Sequence, residues 1–184
     1  AAKNPGTWAN SLKVCVIDDL ADQSIGIGTT NPLNLGIQVG YAVTTDINSS
    51  TVAGVGTVTS FSGHLKGIIT GVTTDATNGE SSFLVKITDR VSTAGTETDI
   101  NYVEYDEMNS FQADDVLYFV NNSGINTGTT GTATSVTDWY NAQTLGLTNS
   151  TVYWSQLAPK PITNQYCSDR NSKNDAIHVV VVDD

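Results

Sequence analysis

His64 and His178 are the only histidines in this chain of 184 residues, and Cys15 and Cys167 are its only cysteines. Such side chains serve as general bases, nucleophiles and zinc ligands, but only when they converge. Their contexts argue for structure instead. His178 opens the run Ile177-His178-Val179-Val180-Val181-Val182 and is read as a hydrogen-bonded structural histidine. His64 lies between Gly63 and Leu65, near the expected start of a strand. A Ser/His/Asp set can be drawn on paper, yet no Gly-x-Ser-x-Gly elbow is present and neither cysteine has a nucleophile context. Cys15, within Val14-Cys15-Val16-Ile17, is expected to pack as a small hydrophobe. A single bridge to Cys167 is compatible with the sequence.

Carboxylates cluster at Asp18-Asp19-Asp22, from Asp99 to Glu107, and at Asp114-Asp115. Calcium needs several hard oxygen ligands, and none of these clusters has the spacing of a calcium loop. Glu97, Asp99, Glu104, Asp106 and Glu107 would converge if they flanked a hairpin; solvated acidic loops are the favoured reading. A glycosidase pair is disfavoured because the acids sit in polar loops, without the apolar burial that would raise one pKa. Gly26-Ile27-Gly28 resembles a phosphate loop, but Thr29-Thr30-Asn31-Pro32 cannot open a regular helix behind it. Trp8, Trp139 and Trp154 are read as core or interface anchors rather than a sugar platform. Asn48-Ser49-Ser50 and Asn149-Ser150-Thr151 match the glycosylation sequon by pattern. No catalytic, cofactor-binding or metal-binding residue is assigned, and no cofactor is expected.

Composition narrows the class further. The formal net charge is −11, with only eight Lys and Arg, which disfavours binding to nucleic acid phosphates or to anionic membrane surfaces. No run approaches the ~20 apolar residues of a membrane span. Charged residues make up 15%, too few for a disordered acidic region, and Thr, Ser, Asn and Gly favour strands with short connections.

The elements follow from pattern. Leu12–Ile17 reads as a strand, and the β-branched run at Ile177–Val182 reads as one buried on both faces. Ile37–Val43, Val52–Thr59, His64–Val72, Ser82–Arg90, Asp99–Tyr105 and Asp115–Val120 read as further strands. Asn78-Gly79 marks a hairpin turn between two of them. The Gly- and Thr-rich stretch at 123–134 reads as a flexible linker. Thr137 or Asp138 is positioned to cap a short helix that Gly146 ends. The expected fold class is therefore α+β. A mixed α/β host unit is made of 1–35 and 135–184, and a β-rich module, a small barrel or sandwich, is inserted at 36–122. The start lacks a Met and an apolar leader, and the chain ends just beyond a strand, as expected for an internal segment of a longer polypeptide.

Two blocks carry a resemblance. The first is Asn4-Pro5-Gly6-Thr7-Trp8-Ala9-Asn10-Ser11-Leu12-Lys13-Val14. The second runs through Asp138-Trp139-Tyr140, Val152-Tyr153-Trp154, Leu157-Ala158-Pro159-Lys160-Pro161 and Asn174-Asp175 to Ile177–Asp184. In order and spacing they resemble the tail sheath proteins of contractile-tailed bacteriophages, most of all those of T4-like phages of marine cyanobacteria. The match covers about the first 20 and last 50 residues. Ala9 stands where the family usually has Gly, and Cys167 where a small residue such as Ala is common.

The resemblance implies a structural subunit rather than an enzyme. Sheath subunits stack as hexameric rings around a tail tube. Their concerted rearrangement drives the tube through the host envelope for genome ejection. It also implies homo-oligomeric contacts, contact with the tube through other parts of the full-length chain, no direct nucleic acid contact and no membrane insertion. The implied location is the phage tail of the virion, assembled in the host cytoplasm. The β module would face outward. The alternative reading is a β-rich adhesion or carbohydrate-binding module of a virion or secreted protein, favoured by an exposed aromatic cluster.

Overall fold

The computed structural model describes residues 6–28, 36–52, 56–74, 81–92, 97–98, 110–121, 126–170 and 176–184. The expected Asp99–Tyr105 strand and the Asn78-Gly79 turn lie outside the described residues. The chain divides into two compact units, one of residues 1–20 and 140–184, the other of residues 21–139.

The larger unit is an antiparallel sheet. Its strands are β2 (Gln23–Gly26), β3 (Ala42–Val52), β4 (Gly56–Thr74), β5 (Ser81–Ser92), β6 (Glu97–Thr98), β7 (Val116–Val120), β8 (Asn126–Thr132) and β9 (Ser135–Asp138). They pair in the order β8-β7-β3-β4-β5-β2-β9, with β6 attached to β5. β8 and β9 stand at opposite ends of that path, yet only Ala133 and Thr134 separate them in sequence. The chain bends there. Ala133 N–H donates to Asp115 O (3.0 Å) beside β7, whereas Thr134 N–H donates to Gly26 O (2.8 Å) on β2. The two edges of a curled half-barrel thus meet at this corner.

The curl encloses one apolar interior. Alternate residues point inward, as the period-2 geometry of strands requires. Ile25, Val43, Leu65, Ile69, Phe83, Val85, Leu117 and Phe119 are fully buried. Phe83 and Phe119 meet edge to face with ring centroids 5.7 Å apart, a favoured geometry for aromatic quadrupoles. Phe111 and Ile37, from connecting segments, fill the remaining space. The β4–β5 register shifts at Lys66/Gly67 and again at Ile69/Gly71, the kind of irregularity that accompanies a curled sheet.

The smaller unit holds β1 (Leu12–Ile17) and β10 (His178–Asp183), paired antiparallel from Leu12↔Asp183 to Ile17↔His178. Helical content among the described residues is slight: α1 (Trp139–Ala142), which begins at the last residue of the larger unit, and α2 (Gln165–Ser168), each of four residues, and 3-10 turns at Thr7–Ser11 and Trp154–Gln156.

The structure corrects the expected α+β class. The described fold is a β protein, and its chain ends form a two-stranded ribbon instead of a mixed α/β host. Helix nucleation is costly, and beyond Ala142 the chain pairs elsewhere: Thr144 bridges antiparallel to Tyr153, with Leu145 N–H donating to Val152 O and Trp154 N–H to Gln143 O, so a single turn forms. Two further readings shift. Ile37–Tyr41 is a turn rather than a strand, with Gly36 and Gly40 at φ +73° and +92°. Within the stretch read as a linker, Asn126–Thr132 is strand β8, bonded to β7.

Candidate functional site

The ribbon of the chain ends has two unlike faces. On one, Cys15 and Ile17 are buried. The Cys15 thiol donates to Leu145 O at 3.3 Å, and His178 stacks on the buried Trp154 with centroids 6.5 Å apart. His178 Nε2 is 2.7 Å from Pro159 O, so an N–H there donates to the carbonyl. The Pro159 loop is held further by Tyr140, whose hydroxyl donates to Ala158 O at 2.9 Å. Burial raises the Tyr140 pKa above that of a free phenol. The buried Asp19 carboxylate binds Lys160 Nζ at 2.9 Å.

The opposite face is aliphatic and bare. Val14, Val16, Val179 and Val181 are 54–64% exposed, and Leu12 and Ile177 lie beside them at 38% and 57%. The run Ile177–Val182 reads in sequence as a strand buried on both faces; the observed strand, His178–Asp183, instead alternates between half-buried and exposed residues. A β-branched run marks a strand in either setting, because valine fits the pleated backbone whether or not its outer side is covered. Among the described residues, nothing in this unit covers that face. Asp183, opposite Leu12, closes one end of it and accepts a hydrogen bond from the Ser11 hydroxyl.

The ribbon is locked at that same end. Asp184 accepts from Thr148 N–H at 2.8 Å and from the Thr148 hydroxyl at 2.9 Å, and lies 3.7 Å from Lys13 Nζ. The backbone hydrogen bond from Thr148 holds the Asp184 carboxyl below the usual range; burial opposes it as the next largest effect, and the Thr148 hydroxyl and the Lys13 charge add to the lowering.

Among the described residues, the titratable groups singled out in the sequence do not converge. His64 is exposed on β4, with Nδ1 2.7 Å from Asp46 Oδ1 on β3. The Asp18-Asp19-Asp22 cluster divides: Asp19 binds Lys160, while Asp22 binds Lys86 at 2.9 Å and accepts from Ile87 N–H at 2.8 Å. Asp115 accepts from Gln112 N–H at 2.9 Å; desolvation nonetheless raises its pKa, outweighing that bond. Residues 99–107 lie outside the described residues. Among the described residues, no group of three His, Cys, Asp or Glu is placed to hold a metal ion. Cys15 and Cys167 are both thiols. Trp139 and Trp154 are buried. Asn149 is exposed.

Sequence reasoning did not single out one cavity. A groove of about 590 Å³ crosses the outer surface of the curled sheet, where Thr73, Ser82, Gly26 and Ser135 are neighbours across four strands. Its lining carries hydroxyls, with no charged or aromatic side chain. Such a surface can hydrogen-bond a polar group but supplies no acid, base or metal ligand. Its sequence signal was the Ser and Thr at outward-facing strand positions.

Compared with known proteins, the chain matches no family model, no curated protein and no solved structure.

Proposed function

We propose that this chain is part of a structural subunit of a contractile phage tail sheath. It would polymerise around the tail tube and rearrange to drive the tube through the host envelope. One observation carries the reading. The two blocks that resemble sheath proteins, at opposite ends of the sequence, come together as one ribbon with a bare aliphatic face. Burying a valine side chain is worth about 1.5–3 kcal/mol. A face of several exposed valines therefore favours occupation by another polypeptide surface, as polymerisation requires.

The mechanism in this reading is mechanical. Domains with well-packed cores move as rigid bodies, and energy is released as contacts between subunits are exchanged. The Phe83–Phe119 interior of the curled sheet and the pinned Pro159 loop are suited to that role. The reading needs no tuned general base and no cofactor. Its partners are other copies of the subunit, with the tail tube contacted through other parts of the full-length chain, and its place is the virion tail.

The carbohydrate-binding alternative needs an exposed aromatic platform. Burial of Trp139 and Trp154 weighs against it. Electron microscopy of the protein with its natural flanking sequence tests the choice. Rings or tubes that contract on triggering, in chelator as well as without it, are the expected result. Dispersed particles that bind immobilised glycans would replace the sheath reading with the alternative.

A further inference from the structure

The aliphatic ribbon face has a chemical counterpart in the same unit. Ile162 and Tyr166 are 69% and 65% exposed, on the segment that leads from Pro161 into α2. Arg170 is also exposed, and its guanidinium lies 3.7 Å from the centroid of the Tyr166 ring. Its Nη1 donates to Tyr166 O at 3.0 Å. The stacked ring and the backbone bond hold the guanidinium in place, so little freedom remains to be lost when it meets an anion. Tyrosine and arginine flanked by an aliphatic side chain are the residue types that dominate binding energy at interfaces.

We propose that the ribbon face of one copy docks on the Ile162–Tyr166–Arg170 patch of the next copy, with Arg170 meeting Asp183. The inference rests on the assembly reading above and supplies it with a specific contact. The ribbon presents Leu12, Val14, Val16, Ile177, Val179 and Val181 on one exposed face, and a contiguous aliphatic patch of this kind is often an interaction site. It has one anion at its end, Asp183, while the patch has one oriented cation beside its apolar residues. Lys13, the cation nearest in sequence to the ribbon's start, is engaged by Asp184 and by the Gly146 carbonyl. Two ribbon faces stacked on each other would leave both Asp183 carboxylates without a cation. Pairing of unlike surfaces avoids this. It is also the head-to-tail kind of contact that closes rings or extends filaments, whereas a two-fold contact stops at a dimer. With a net charge of −11 per chain, general repulsion must be overcome locally, and a guanidinium facing a carboxylate does so.

Sedimentation velocity over a concentration series at low salt tests the pairing, using the full chain as wild type, Asp183→Arg, Arg170→Asp and the double exchange. Circular dichroism checks that each variant is folded. Each single reversal is expected to weaken self-association about tenfold, and the double exchange to restore it to within about threefold of wild type. Ile162→Glu, away from the ribbon, should weaken it as strongly as either single reversal. Folded single variants that associate like wild type, or a double exchange no better than the singles, would overturn the proposal. If wild type still forms rings or tubes by electron microscopy while the exchange fails to rescue, the Arg170–Asp183 contact is wrong and the sheath reading stands. A wild-type chain that stays monomeric throughout overturns the contact as well.

Discussion

The side-chain amide of Gln23 pairs with both backbone groups of Phe111, 88 residues away: Nε2 donates to Phe111 O at 3.1 Å and Phe111 N–H donates to Oε1 at 2.9 Å. Gln23 thus acts as a short strand, extending β2 to a segment that has none of its own. Phe111 is fully buried, and this clamp sets the depth at which its ring enters the core of the curled sheet. Gln23→Ala leaves two backbone groups beside the core without these partners. It is expected to destabilise by about 2–3 kcal/mol, read as a lower urea midpoint at unchanged slope. Gln23→Glu keeps the acceptor and loses the donor, and should fall between the two.

The core and the ribbon face should respond oppositely to substitution. Phe119→Ala removes a ring packed edge to face on Phe83 and should cost about 3–5 kcal/mol. Val14→Thr with Val181→Thr, on the exposed face, should change the stability of the dispersed chain by less than about 1 kcal/mol. The same pair should weaken assembly measured by sedimentation. An equally large loss of stability from both sets would mean that the valines are already covered in the single chain.

Lys160→Met tests the anchor of the Pro159 loop. It leaves the buried Asp19 carboxylate without its Lys160 partner and is expected to destabilise by about 1–3 kcal/mol, with Lys160→Arg largely restoring stability. Thermal unfolding of the three proteins side by side reads the difference. Indistinguishable midpoints for wild type and Lys160→Met would show that the pair contributes nothing.

Asp184 gives a pH dependence of definite sign. Its carboxyl is held below the usual range in the folded chain, chiefly by Thr148 N–H. Its contribution is therefore complete above the unfolded-state pKa and is lost as pH falls through the lower folded value. Asp184→Asn should lower stability at neutral pH and flatten the loss seen on acidification. Asp115 acts in the opposite sense. Desolvation raises its pKa, so its ionisation as pH rises costs stability, and Asp115→Asn should be neutral or mildly stabilising at pH 7. Urea titrations across the acid range separate the two.

How far the sequence spoke depends on how local each signal is. Leu12–Ile17 was legible at its observed limits and the final strand to within one residue, because β-branched runs specify strands locally. The β4–β5 pair was legible in part, as a hairpin of His64–Val72 with Ser82–Arg90 signalled by Asn78-Gly79; the strand read at Val52–Thr59 instead divides between the end of β3 and the start of β4. β8 was hidden because Thr and Gly read equally well as a linker; pairing with β7 decides its state, and pairing is not local. β2 was hidden for the same reason: its four residues, ending in Gly26, become a strand only between β5 and β9. Helix was overestimated between the cap read at Thr137 or Asp138 and the end read at Gly146, where only the single turn Trp139–Ala142 forms. The clamp of Gln23 on Phe111 left no trace in spacing or composition. The ribbon was foreseen as strands, but its exposed face was not, since a valine run looks the same whether one side or both are covered.

Labelling of a cysteine placed on the ribbon face tests the central claim, that this face is an assembly surface, most directly. In a background carrying Cys15→Ala and Cys167→Ser, Val14→Cys or Val181→Cys would be treated with a maleimide in the dispersed chain and in assemblies of the full protein. The account predicts rapid reaction in the dispersed chain, where both sites are at least 60% exposed, and strong protection once assembled. Equal reactivity in both states would contradict it, because the face would then remain in water when the subunits come together.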